Sequence, residues 1–123
     1  MSRLAAYPLT RRWTLALTLA LVPGVVSAQP TTTRVSVGSG DVQGNDHSYG
    51  SALSADGRWV AFESGASNLV AGDTNGTTDV FVHDQQTGTI TRVSVGPGGA
   101  QGNSASYGRS ISGDGRWVAF QSH

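Results

Sequence analysis

Asp56-Gly57-Arg58-Trp59-Val60-Ala61-Phe62 decides how this chain is read, because it occurs twice. The same seven residues stand 58 positions later as Asp114-Gly115-Arg116-Trp117-Val118-Ala119-Phe120. An Asp-Gly pair is a tight hairpin turn in which glycine takes the left-handed conformation. The run behind it is continuously apolar, which suits a strand covered on both faces.

Working outward, the repetition extends on both sides of the turn. Thr33-Arg34-Val35-Ser36-Val37-Gly38 returns as Thr91-Arg92-Val93-Ser94-Val95-Gly96. Gln43-Gly44-Asn45 returns as Gln101-Gly102-Asn103, and Ser48-Tyr49-Gly50 as Ser106-Tyr107-Gly108. Aligning 33–65 with 91–123 gives 22 identities and 11 differences, which makes the chain an internal repeat before it is anything else.

One unit reads as four strands. Strand A is short, near 51–54 and again near 109–112, with Leu53 or Ile111 between small residues in a crowded inner position. Strand B is 58–64. Strand C is 79–83, with Val80-Phe81-Val82 continuously apolar. Strand D is 89–95, where Arg92 and Ser94 alternate with Val93 and Val95, as expected of a half-exposed outer strand whose arginine blunts an edge. Inner A, covered B and C, and outer D describe one blade of a β-propeller.

These motifs resemble the TolB-like, WD-repeat-like propellers of bacterial exported proteins. That repeat carries Ser-x-Asp-Gly-Arg, an apolar strand ending Ala-Phe-x-Ser, and an Asp-Val-Phe-Val-x-Asp strand. The matching residues are Ser54-Ala55-Asp56-Gly57-Arg58, Val60-Ala61-Phe62-Glu63-Ser64 and Asp79-Val80-Phe81-Val82-His83-Asp84; the second copy has Ser112-Gly113-Asp114-Gly115-Arg116 and Val118-Ala119-Phe120-Gln121-Ser122. The resemblance implies an all-β fold of four-stranded antiparallel blades. It says little of activity, since such folds serve many roles. A sialidase-type Asp-box is similar to Ser54–Trp59 but differs in spacing.

On this reading 31–38 is a lone outer strand, about 49–95 is a full blade, and about 107–123 starts the next. Propellers have about four to eight blades, and repeat units bury their faces only against neighbours. The chain is therefore expected to be a fragment of a larger propeller, with the remaining blades in cis or on other chains.

Residues 1–28 read as a cleavable export signal. Arg3, Arg11 and Arg12 precede the apolar run Trp13–Val22, Pro23-Gly24 breaks it, and Val26-Ser27-Ala28 supplies small residues at the cleavage site. The run is too short for a membrane span. Thr10-Arg11-Arg12-Trp13 also resembles a twin-arginine signal, with Thr14 departing from it. A periplasmic or extracellular location follows, with no membrane span after cleavage.

The whole chain is formally neutral, but 29–123 keeps five Arg against eight acids, for a charge of −3. That argues against nucleic acid, which needs a basic patch. With no cysteine there is no disulfide, thiolate metal site or thiol nucleophile. Little Glu, no Lys and 17 Gly argue against a helical bundle.

Strand counting puts two long connections, the D–A loop (38–50 and 96–108) and the B–C loop (65–78), at one end. Either this face binds a partner or its loops pack on each other. Within the B–C loop, Asp73, Asn75, Thr77 and Asp79 place oxygens at alternate positions. That spacing suits Ca²⁺, but the Gly and Glu of an EF-hand loop are not in register. The other reading is a set of Asx-turns fixing the entry to strand C. Tyr49 and Tyr107, being repeated, are expected to pack inward. Asn75-Gly76-Thr77 matches a glycosylation acceptor, of little weight behind a bacterial signal.

No catalytic residue is assigned. His47 is replaced by Ala105 in the second copy, and His83-Asp84 reads as a strand-terminal polar pair rather than a base with its orienter. The glycines precede no helix, so there is no phosphate-binding loop. The expected function is a non-catalytic exported scaffold holding a protein or glycan on the long-loop face. The alternative is a propeller domain of a larger hydrolase or lyase whose catalytic residues lie elsewhere.

Overall fold

The two continuous apolar runs form the middle of a four-stranded sheet. The computed structural model describes residues 30–123, so the export signal expected over 1–28 lies outside the described residues. In chain order the strands are β1 (Val37–Gly38), β2 (Val42–Gln43), β3 (Ser48–Leu53), β4 (Trp59–Ser64), β5 (Asp79–Asp84), β6 (Thr89–Arg92), β7 (Ser106–Ile111) and β8 (Val118–Ser122). A single 3-10 turn spans Pro97–Gly99. The main sheet runs β3-β4-β5-β6, and β1-β2 and β7-β8 are separate two-stranded sheets. Every pair is antiparallel, so the described residues are all-β with three open sheets.

Burial follows the apolar pattern. β5 is buried along its whole length and β4 at all but its first residue. Phe62 and Phe81 are direct cross-strand partners whose rings lie 5.9 Å apart. With Ala66 and Leu69 from the following loop they form the core, and Val35, Val70 and Ile90 pack against it. Each such large side chain contributes about 1.5–3 kcal/mol by leaving water.

The repeated sequence folds the same way twice. Ser48 faces Ser64, Tyr49 faces Glu63 and Leu53 faces Val60; at the 58-residue offset, Ser106 faces Ser122, Tyr107 faces Gln121 and Ile111 faces Val118. Each β3-type strand carries a register shift just after its tyrosine. The turn chemistry is also duplicated. Ser54 Oγ donates to Asp56 Oδ1 at 2.6 Å and accepts from the Trp59 amide at 3.0 Å, while Asp56 Oδ1 accepts from the Arg58 amide. Ser112, Asp114, Trp117 and Arg116 make the same three bonds. Gly57 and Gly115 both take φ +72°, as the Asp-Gly turn requires.

The β7-β8 hairpin lies against the main sheet, with β7 packed on β4, β3 and β5. Three bonds tie the two: the Gly108 amide donates to Glu63 Oε1 at 3.0 Å, Ala55 N to Gly113 O at 2.9 Å, and Ser106 N to Thr78 O at 2.8 Å. The Trp59 ring packs directly over Gly115, where any Cβ would overlap it.

Two expectations are corrected, and the crowding expected of strand A is not seen: Leu53 is 60% exposed on β3, the first strand of the main sheet. The lone outer strand expected over 31–38 reduces to Val37–Gly38, which turns back onto β2 within four residues. Strand D ends at Arg92 rather than Val95. There the Ser94 hydroxyl accepts the Val80 amide at 3.0 Å, so a side chain takes over from the backbone ladder. Val95 then bridges to Gln101.

Candidate functional site

The long-loop end is held together from both sides by the repeated Gln-Gly-Asn segments. On one side the Asn45 amide donates to Asn68 Oδ1 at 2.9 Å, the Ser67 amide donates to Asn45 Oδ1 at 2.9 Å, and Asn68 Nδ2 donates to the Gln43 carbonyl at 2.8 Å. On the other, Gln101 Nε2 donates to the Gly72 carbonyl at 2.8 Å, and Gln101 Oε1 accepts from the Thr74 amide at 3.1 Å. The two D–A loops thus clamp opposite ends of the B–C loop. Expecting these loops to pack on each other is correct for 43–45 with 67–68 and for 101–102 with 72–75.

Beneath this clamp lies a charged cluster. Arg92 Nη1 is 3.0 Å from Asp73 Oδ1 and 3.5 Å from Asp79 Oδ2, and it donates to Gln101 Oε1 at 3.0 Å. All three charged side chains are nearly removed from solvent, at 9% for Arg92, 4% for Asp73 and 0% for Asp79. Asp79 Oδ1 accepts the Ser94 hydroxyl at 2.6 Å. Burial pushes the Asp73 carboxyl above the ordinary carboxylate range; Arg92 works against that shift and Asp79 adds to it.

The four oxygen-bearing residues of the B–C loop are therefore distributed as follows. Asp73 and Asp79 converge, but on the Arg92 guanidinium. Asn75 turns its amide nitrogen to Asp79 Oδ2 at 2.9 Å and to the Gly102 carbonyl at 3.1 Å. Its Oδ1 accepts from the Thr77 amide at 3.3 Å, which is an Asx-turn. The positive charge that two buried carboxylates demand is supplied from within the chain. Among the described residues no group of three or more His, Asp or Glu converges in a way suited to a metal.

Arg92 and Ser94 do not line an exposed edge as their alternation suggests; both point at Asp79. Arg92, Ser94 and Gln101 are the residues that composition and alternation miss. The signal was present in the repeat, since Arg34 Nη1 donates to Gln43 Oε1 in the first copy as Arg92 does to Gln101 in the second.

Asp84 is committed to Arg58, which reaches it with two parallel bonds of 2.9 and 2.7 Å. That guanidinium holds the Asp84 carboxyl well below the usual carboxylate range, and the Gln86 amide adds to the shift. Arg58 also lies 4.6 Å over the Trp59 ring. His83 is buried, and its Nδ1 has no hydrogen-bond partner among the described residues, so it is not bonded to Asp84 there.

The tyrosines depart from expectation. Tyr49 and Tyr107 are 57% and 44% exposed rather than packed inward. The backbone irregularity after each tyrosine accompanies this, with Gly50 at φ +42°. The His47 ring stacks on Tyr49 at 5.9 Å with planes 5° apart, and His47 Nδ1 is 3.0 Å from Asp46 Oδ1. Beside them a shallow hollow of about 300 Å³ is lined by Gly44, Asn45, Asp46 and His47.

Comparison with protein-family models, with curated proteins and with solved structures finds no match to this chain. What the structure itself defines is an all-β protein in which one antiparallel hairpin is built twice, the second copy resting on the sheet that contains the first.

Proposed function

We propose that this chain is a non-catalytic, exported scaffold of β-propeller type that binds a protein or glycan on its long-loop face. β3-β4-β5-β6 is one blade and β7-β8 begins the next. The order of the main sheet, the duplicated hairpin register and the packing of β7 across β4 support the blade reading. The resemblance of the repeat to exported bacterial propellers and the signal-like residues 1–28 support export.

The observation that carries the binding assignment is the His47–Tyr49 stack. It stands exposed where the D–A loop enters β3, beside a segment fixed by Asn45, Ser67 and Asn68. Exposed aromatic side chains on a pre-ordered support are what recognition surfaces use, because little entropy is lost on contact. Asp46 adds an acceptor at its rim. The polar groups below it are spent on internal bonds, which suits a support rather than a reaction centre.

The test is retention of the chain on a panel of immobilised polysaccharides and exported proteins, alongside turnover assays with ester and glycoside substrates. Retention lost about tenfold in Tyr49→Ala, with unchanged folding, is the expected result; a loss of that size corresponds to one good contact residue. Substrate turnover that survives purification and is abolished by a substitution in this chain contradicts the scaffold reading.

A further inference from the structure

The outer edge of β8 and the groove beside it have a template inside the same molecule. β8 repeats β4 almost residue for residue: Trp117-Val118-Ala119-Phe120-Gln121-Ser122 stands for Trp59-Val60-Ala61-Phe62-Glu63-Ser64. β4 is paired on both sides, by β3 and by β5, whereas β8 is paired only by β7 among the described residues. The difference shows in exposure. Phe62, covered by Phe81, is 3% exposed, while its counterpart Phe120 is 40% exposed and Trp117 is 72% exposed. Arg58 is held by Asp84, while its counterpart Arg116 is exposed. Between β8 and the main sheet lies a groove of about 350 Å³, lined by Trp59, Val82, Thr91 and Val93 on the sheet and by Arg116, Val118 and Phe120 on the hairpin.

We infer that β8 receives a β-strand of the pattern acidic–apolar–aromatic–apolar–x–acidic from another polypeptide segment. The strand pairs antiparallel to β8, as β5 pairs with β4. The β4–β5 register fixes the geometry: Trp59 faces Asp84, Phe62 faces Phe81 and Ser64 faces Asp79. Transferred to β8, the incoming aromatic lies opposite Phe120 and fills the groove over Val82 and Val93. The strand's last acidic residue lies opposite Trp117, within reach of the Arg116 guanidinium. Backbone bonds supply affinity, and the Arg116 pair and aromatic pocket supply register and choice of partner. A second copy of this chain is disfavoured as donor, because β5 is already paired on both sides within its own sheet. This inference rests on the blade reading above and names the chemistry of what completes the second blade.

The test uses the whole chain and, as probe, a fluorescently labelled peptide with the sequence of residues 79–95. Saturable binding by anisotropy is expected. Arg116→Asp should weaken it about tenfold, the scale of one charge-assisted contact, and a peptide carrying Asp84→Arg should restore it. A peptide carrying Phe81→Ala should fail to bind. Hydrogen exchange at Val80–Val82 reports separately on the main sheet. Slow exchange there without peptide binding, or binding indifferent to the charge swap, overturns the docking inference and leaves the blade reading standing. Fast exchange at those amides overturns both. Self-association that protects the β8 amides and that the peptide does not displace makes a second copy the occupant, and contradicts the inference.

Discussion

Asp84 and Arg92 show how much of this molecule depends on a few charges. Arg92 is a buried cation between two buried carboxylates, and such a cluster is not itself a large source of net stability. Breaking it is costly, because Asp73 and Asp79 would be left as adjacent uncompensated charges. Arg92→Ala is expected to lose about 3–5 kcal/mol, measured by urea unfolding, and Arg92→Lys should recover only part of that. The Asp84 carboxyl has its pKa lowered by Arg58, and Asp56 and Asp114 are lowered by their Ser54 and Ser112 hydroxyls and by the turn amides. A carboxylate depressed in the folded state contributes stability above its unfolded pKa and loses it as pH falls through the folded one. Asp73, raised by burial, acts in the opposite direction. Asp46 is lowered as well, by its bonds to His47, and four lowered groups against one raised group predict a thermal midpoint that falls as pH drops below about 4. Asp84→Asn should lower the midpoint at neutral pH and flatten that acid limb; an unchanged limb would contradict the role given to Arg58.

At the scale of elements, glycine substitutions separate turn geometry from packing between sheets. Gly57 and Gly115 occupy equivalent turns at the same φ, and an added Cβ at Gly57 meets nothing within 4 Å. Gly57→Ala should cost only the left-handed strain, about 1–2 kcal/mol. Gly115→Ala bears the same strain and also drives Cβ into the Trp59 ring, whose Nε1 would be 2.7 Å away. It should be clearly more destabilising, and equal losses at the two sites would show that the Trp59 contact does not hold in solution. The B–C loop makes a second prediction. With Arg92 filling the space between Asp73 and Asp79, millimolar Ca²⁺ should leave the thermal midpoint of the chain unchanged. A Ca²⁺-dependent rise that disappears in Asp79→Asn would show the loop to be a cation site.

The sequence made the strands and turns legible where one local rule was enough. The Asp-Gly turns, the covered β4 and β5, and the duplicated hairpin follow from turn chemistry and from continuous apolar runs. Other features depend on what lies across from a residue, and those were not legible. Strand alternation put Arg92 and Ser94 outside because it cannot see Asp79 on the neighbouring strand. Leu53 and the two tyrosines read as buried by type, yet they sit on an edge strand and at a register shift. The alternate oxygens of 73–79 read the same for a cation and for Asx-turns, and the reach of Arg92 from β6 to Asp73 and Asp79 leaves no trace in that spacing. His47 stacking on Tyr49 had no sequence signal beyond nearness in the chain.

In the whole molecule, the second hairpin rests on the first sheet as one repeat rests on the next. Glu63 is part of that joint, since it accepts the buried Gly108 amide across it. Glu63→Ala should lose about 1–3 kcal/mol, the cost of stranding a buried donor, while Glu63→Gln, the residue at the equivalent position 121, should be much milder. The most direct measurement is the set of nuclear Overhauser contacts between the Trp59 indole and Gly115 in the chain in solution. Strong contacts from the indole ring to the Gly115 α-protons are expected, with those protons shifted upfield by the ring current. Their absence, with the Trp59 indole in a water-exposed environment, would contradict the stacking of one repeat on the other.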